Sequence, residues 1–157
     1  MVLVALALAT SSLAVPFVSQ RKDTCGAAAL TMVLLYWNEE VSHVDVARQL
    51  VRPELHGVAG SHLAELARDR GFEAVAYRGD MAHLREFVGK GRPLIVAWHL
   101  GGSLYHDVVV VGFDDERGAV LVNDPAAGAS RAVGAAKFEK RWAGAGYWTL
   151  LVTRKGP

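Results

Sequence analysis

The stretch Ser19-Gln20-Arg21-Lys22-Asp23-Thr24-Cys25-Gly26-Ala27-Ala28-Ala29 holds the only cysteine of the chain and sets it where a helix should begin. Ahead of it, Val15-Pro16-Phe17-Val18 reads as a short extended piece leading into a polar turn. Behind it, residues 27–37 run without Gly or Pro and contain Leu30, Met32, Val33, Leu34 and Leu35. Such a run predicts a buried helix, apolar on most of its circumference. Asp23 or Thr24 suits the N-cap, which puts Cys25 in the first turn. Unpaired backbone N–H groups and the positive end of the helix dipole gather there. Both favour a thiolate over a thiol, so the position suits a nucleophile. Taken alone, a free cysteine beside three alanines reads first as a small buried hydrophobe; the rest of the chain changes that balance.

A length of 157 residues fits one domain with one sizeable core. A composition of 52% hydrophobic and 21% charged residues is that of a folded globular chain. The formal net charge of +1 gives no electrostatic footing for nucleic acid or for an acidic surface. One cysteine excludes an internal disulfide framework and a Cys-rich zinc site. His43, His56, His62 and His83 sit in polar contexts without His-x-x-x-His spacing, so neither a metal nor another cofactor is expected. Residues 1–14 are apolar but too short to span a bilayer. They resemble the hydrophobic part of a signal peptide, with Ser12-Leu13-Ala14 as a small-x-small cleavage site, although a basic start is missing. The expectation is a signal peptide or N-terminal apolar segment over 1–14 and a single domain over 15–157. Export to the periplasm or outside follows from the first, with a short packed helix and a cytoplasmic protein as the alternative.

Residues 41–50 read as a second helix, with Ser42 and Asp45 in a capping-box-like start and Val46 and Leu50 on one face. Ser61 is expected to cap a third helix that ends at Gly71. Residues 72–77 alternate like a half-buried strand, and Asp80 caps a fourth helix through Leu84 and Val88. The chain then changes character. Residues 93–98 form a continuous apolar run that reads as a central strand. Gly101-Gly102-Ser103 is a turn, and 106–113 a second buried strand. Residues 114–118 make a hairpin turn into a strand over 119–124, which Pro125 ends because it cannot continue the ladder. A short helix near 136–142 and a last strand over 147–152 complete an α+β arrangement, helices first and a mostly antiparallel sheet second.

Two residues of the sheet half stand out. His106 opens its strand, and Asp124 closes the next. If the strands pair through the hairpin, both lie at one open edge, within hydrogen-bonding reach. A carboxylate there fixes the imidazole tautomer and stabilises the imidazolium. With a cysteine at a helix tip, such a histidine makes a thiolate–imidazolium pair able to attack a carbonyl. The order Cys, His, Asp is that of papain-like enzymes. Gln20, five residues ahead of Cys25, brings an amide that could donate to a developing oxyanion together with the Cys25 N–H. His99 reads as a core or rim histidine, the segment 56–60 as a cleft-side loop or a plain connector, and Trp142, Tyr147 and Trp148 as packing.

Val15-Pro16-Phe17-Val18-Ser19-Gln20 with Thr24-Cys25-Gly26-Ala27-Ala28-Ala29-Leu30 resembles the active-site segment of the bacteriocin-processing, double-glycine leader peptidases, a branch of the papain-like cysteine peptidases. Tyr105-His106-Asp107-Val108-Val109-Val110-Val111-Gly112-Phe113 is similar to their histidine strand, Val122-Asn123-Asp124-Pro125-Ala126 to their aspartate segment, and Phe138-Glu139-Lys140-Arg141-Trp142 to their closing helix. The resemblance implies a papain-like fold, a helical half on an antiparallel sheet with the cleft between them. It implies Cys25 as nucleophile, His106 as general base and acid, Asp124 as orienter, Gln20 as oxyanion donor, no metal, and a peptide or small protein as substrate. The double-glycine leader itself is not carried over, and the Cys-Gly-x-Cys-Trp of papain is absent. The same nucleophile would also serve an acyltransferase or an amidase of cell-wall peptides, and the same fold a catalytically idle peptide-binding domain.

Overall fold

A computed structural model describes residues 11–50 and 60–156. Residues 1–10 of the apolar segment 1–14 and most of the 56–60 loop therefore lie outside the described residues. In chain order the elements are β1 (Ser11–Ser12), α1 (Cys25–Tyr36), α2 (His43–Leu50), α3 (Gly60–Asp69), β2 (Phe72–Arg78), α4 (Met81–Gly89), β3 (Leu94–Gly101), β4 (Leu104–Asp114), β5 (Ala119–Asp124), β6 (Gly128–Gly134), α5 (Ala135–Gly144) and β7 (Trp148–Arg154). The sheet runs β2-β7-β3-β4-β5-β6, and every pairing in it is antiparallel. β1 adds to it through β4, with Ser11 opposite Phe113 and Ser12 opposite Gly112. No described helix is long and apolar enough to cross a membrane.

The α+β class holds, and the sheet is the middle layer. Because side chains alternate along a strand, each strand feeds two cores. Val109, Val111, Ile95 and Leu150 pack under α1, α2 and α3 with Leu30, Val33, Val46 and Leu63. Val108, Val110, Val96 and Trp98 pack under α4 and α5 with Leu84, Phe138 and Trp142. This is why β3 and β4 read as unbroken apolar runs: they are covered on both faces. α1 is buried from Gly26 through Leu34, as a helix pressed between a sheet and two other helices must be. Asp80 accepts from the His83 N–H at 2.9 Å and starts α4. Ser42 holds the first turn of α2 through the Asp45 N–H at 3.1 Å. Gly71 closes α3 at φ +87°, where a side chain would be strained.

Some local expectations change. Ser61 lies inside α3, which already begins at Gly60. Thr24 occupies the N-cap of α1 without capping it; its hydroxyl is spent on the Arg21 N–H and C=O at 2.9 and 2.8 Å, folding the preceding turn. β6 was not legible. Gly128-Ala129-Ser130-Arg131-Ala132-Val133-Gly134 holds one β-branched residue and no alternation, yet it pairs with β5 as an exposed edge strand.

Candidate active site

α1 brings Cys25 to the start of β4. The first turn packs so tightly that a Cβ built on Gly26 would stand 2.8 Å from Asp107 Oδ2. Glycine after the cysteine is thus a packing requirement here. Cys25 is partly exposed. With Thr24 turned away, no side chain caps the helix, so its leading N–H groups keep their donors for something else.

His106 and Asp124 meet through a feature of the β4–β5 ladder. Near the hairpin, Asp114 pairs with Ala119 and Gly112 with Leu121; beyond a bulge, Val110 pairs with Val122 and Val109 with Asn123. Continued one residue, this second register puts Asp124 across from Val108, on the side of β4 that also carries His106. In the first register Asp124 would stand across from Val109, on the opposite face. The extra residue, Val111, therefore puts carboxylate and imidazole on the same side. Asp124 Oδ1 lies 2.6 Å from His106 Nε2, with side chains only 10% and 16% exposed for His106 and Asp124. Asp124 Oδ1 also accepts the Ala126 N–H at 2.9 Å. Beneath the imidazole lies Trp98, opposite His106 in the β3–β4 register and 6.3 Å away between ring centres.

Burial disfavours the charged ring, but hydrogen bonds to Asp124 and Cys25, and the charges of both, outweigh it and push the His106 pKa up to about 9. Nε2 is committed to Asp124, which leaves Nδ1 as the other ring nitrogen. Burial would raise the Asp124 carboxyl; the hydrogen bonds from His106 and Ala126 and the charges of His106 and Arg141 hold it below the usual range instead. Asp107, the next residue along β4, is pushed up to about 6 by burial, against the pull of His106.

Gln20 is tied to this centre through the backbone, its N–H donating to Pro125 O at 3.0 Å, one residue past Asp124. Its side-chain oxygen is buried without a partner among the described residues. A cavity of about 340 Å³ opens between Gln20, His106 and Asp124, floored by Trp98 and bordered by Leu100, Leu104, Ala126 and Arg141. Of the four residues singled out in the sequence, His106, Asp124 and Gln20 line one cavity, and Cys25, at the tip of α1, stands near enough to the same imidazole to raise its pKa. His99 stands apart at the rim, its Nε2 2.8 Å from Gly102 O. Among the described residues no three His, Cys, Asp or Glu side chains gather closely enough to hold a metal ion.

Residues 12–149 match the model of the Peptidase_C39 like family. The chain belongs to that family. Among solved structures it is similar to a double glycine motif protease from an AMS/PCAT transporter, in complex with the leader peptide, at 27% identity and a TM-score of 0.74, covering 92% of this chain and 95% of that one. A C39-like peptidase from Bacillus anthracis shares the fold at 21% identity and a TM-score of 0.78, over 95% of this chain and 100% of its own. The peptidase domain of Streptococcus ComA, a bi-functional ABC transporter of a quorum-sensing pathway, shares it at 20% identity and a TM-score of 0.74, over 88% and 97%. No curated protein sequence matches. The fold is that of the papain-like cysteine peptidases of this family.

Three residues at the centre were not singled out from the sequence. Trp98 read only as strand, Asp107 only as part of a motif, and Arg141 only as part of a helix. For Arg141 a signal exists: it follows Phe138 by three residues and precedes Trp142, both fully buried, so it sits at the margin of a core-facing stripe.

Proposed function

We propose that the chain is a cysteine peptidase that hydrolyses peptide bonds, with Cys25 as nucleophile, His106 as general base and acid, Asp124 as orienting carboxylate and Gln20 as oxyanion donor. The observation that carries this reading is the 2.6 Å contact between His106 Nε2 and Asp124 Oδ1, with Cys25 acting on the same ring from the tip of α1.

In the first half-reaction the Cys25 proton passes to His106 Nδ1 and Sγ adds to the scissile carbonyl. The oxyanion takes hydrogen bonds from the Gln20 amide and the Cys25 N–H. Collapse breaks the C–N bond, and His106 gives its proton to the leaving amine. Water, deprotonated by His106, then adds to the thioester, and the acid product leaves as the sulfur recovers its proton. Asp124 keeps the imidazole in the orientation both transfers need. A peptide substrate is supported by the leader peptide bound to the transporter protease that this chain resembles.

The test is turnover of a peptide library followed by mass spectrometry, with and without an added amine. Water-derived products lost in Cys25→Ala and His106→Ala, while both variants stay folded, support hydrolysis. Amine adducts as the main product would make the chain an acyltransferase. Unchanged turnover in Cys25→Ala would end the reading.

A further inference from the structure

The cavity beside the imidazole holds a cation whose charge reaches Asp124 but whose hydrogen-bond donors this reaction does not use. Arg141 reaches it from α5, half-buried, with its guanidinium carbon 5.0 Å from the centre of the Trp98 ring. Among the described residues it makes no hydrogen bond or ion pair. Asp124, the carboxylate of the cavity, already serves His106 and the Ala126 N–H, both through Oδ1. Stacking on an indole fixes the guanidinium plane and leaves its edge donors free. Trp98 is a firm platform: it is 1% exposed and wedged by Phe138 at 5.8 Å between ring centres. Its own indole N–H is buried without a partner among the described residues. The cavity thus offers the guanidinium donors of Arg141 over the Trp98 platform, an apolar border from Leu100 and Leu104, and no carboxylate but Asp124, which His106 already engages.

The position of the cavity says which half of a substrate would fill it. His106 and Asp124 line it and Cys25 does not. A leaving amine takes its proton from the imidazole and so must lie over that ring. The chain that continues from the amine then runs into this cavity.

We propose that Arg141, held on Trp98, forms a carboxylate-binding subsite for the leaving half of the substrate. The inference rests on the peptidase reading above and adds the substrate class: peptides with a carboxylate close behind the scissile bond. That carboxylate is either an acidic side chain or the free C-terminus of a short leaving segment, and Arg141 would clamp either through paired N–H donors.

Matched peptides test this. They differ only in the leaving half, with Glu, Gln or Lys next to the scissile bond, each as a C-terminal acid and as a C-terminal amide. kcat/KM is measured for the wild type, for Arg141→Gln, which keeps a stem over Trp98, and for Arg141→Glu. The wild type should prefer a carboxylate over its neutral partner by about tenfold or more, the size of one charge-assisted hydrogen bond. A preference for Glu over Gln assigns the side chain as the source, and a preference for acid over amide the C-terminus. Arg141→Gln should erase the preference, and Arg141→Glu should turn it toward Lys. Affinities of the same peptides for Cys25→Ala, read by fluorescence anisotropy, separate the two ideas. No turnover with an Arg141-dependent affinity for carboxylates sinks the peptidase reading and keeps the subsite. Turnover without any carboxylate preference, or a preference that survives in Arg141→Gln, overturns the subsite alone.

Discussion

Replacing Asp124 with Asn removes the charge that faces His106 and keeps the size of the side chain. The structure gives the expected magnitude. His106 rises from 6.5 to about 9, and at about 1.4 kcal/mol for each pH unit that preference for the imidazolium is worth about 3 kcal/mol, of which Asp124 supplies one part and Cys25 the other. The pair is well covered, at 10% and 16% exposure, so little of this is screened away. A raised folded pKa on a histidine stabilises the fold fully below the unfolded value, near 6.5, and the contribution is lost as pH climbs through about 9. The depressed Asp124 carboxyl sets the other limit: its contribution is present above its unfolded value, near 3.8, and is lost as pH falls through its lower folded value. The stability gap between wild type and Asp124→Asn should therefore be greatest between about pH 4 and 6.5 and shrink toward pH 9 to 10. Urea denaturation at a series of pH values measures the gap, and ring-proton NMR follows the His106 titration, which should fall by more than about one unit in the variant. A gap that stays level from pH 5 to 9, or a wild-type His106 titrating near 6.5, would refute the coupling.

Three further outcomes follow from packing and burial. Gly26→Ala places a methyl group 2.8 Å from Asp107 Oδ2; it should cost about 1–2 kcal/mol and slow alkylation of Cys25 by iodoacetamide, read by mass spectrometry. Asp107→Asn removes a carboxyl raised to about 6, whose ionisation burdens the fold as pH climbs from 3.8 through that value. The variant should match wild type below pH 4 and gain about 1–2 kcal/mol above pH 7 in chemical denaturation, after allowance for partial exposure. Leu30→Ala empties a fully buried position under the sheet and should lower unfolding free energy by about 2–5 kcal/mol in the same assay.

Much of this architecture was legible because single residues dictate it. The unbroken run after Cys25 could only be a helix covered all round, and Asp80 and Ser42 start helices through their side chains. Pro125 ended β5 where a ladder N–H was needed. The chain segments that carry Cys25, His106, Asp124 and Gln20 announced themselves as a helix tip, two strand ends and a turn. Other features depend on distant partners. β6 is a strand because β5 offers it an edge, not because its small and polar residues favour one. α4 and α5 cover the far face of the sheet through a choice of side that local periodicity does not encode. Arg141 acquires meaning only through Trp98, which lies more than forty positions earlier in the chain. The bulge at Val111 was invisible for the same reason: five valine and glycine positions in a row carry no mark of where a ladder slips.

That slip divides β4 into two regions of unequal tolerance. The hairpin end, beyond Val111, can change length or composition and leave the pairs nearest the imidazole as they are. Removal of Val111 itself would leave every residue type in place and still send the Asp124 carboxylate to the layer under α1, next to Asp107, where two acids would crowd each other and the imidazole would stand alone. Transplanting this site onto another hairpin would therefore require copying a skipped rung as well as the reactive groups.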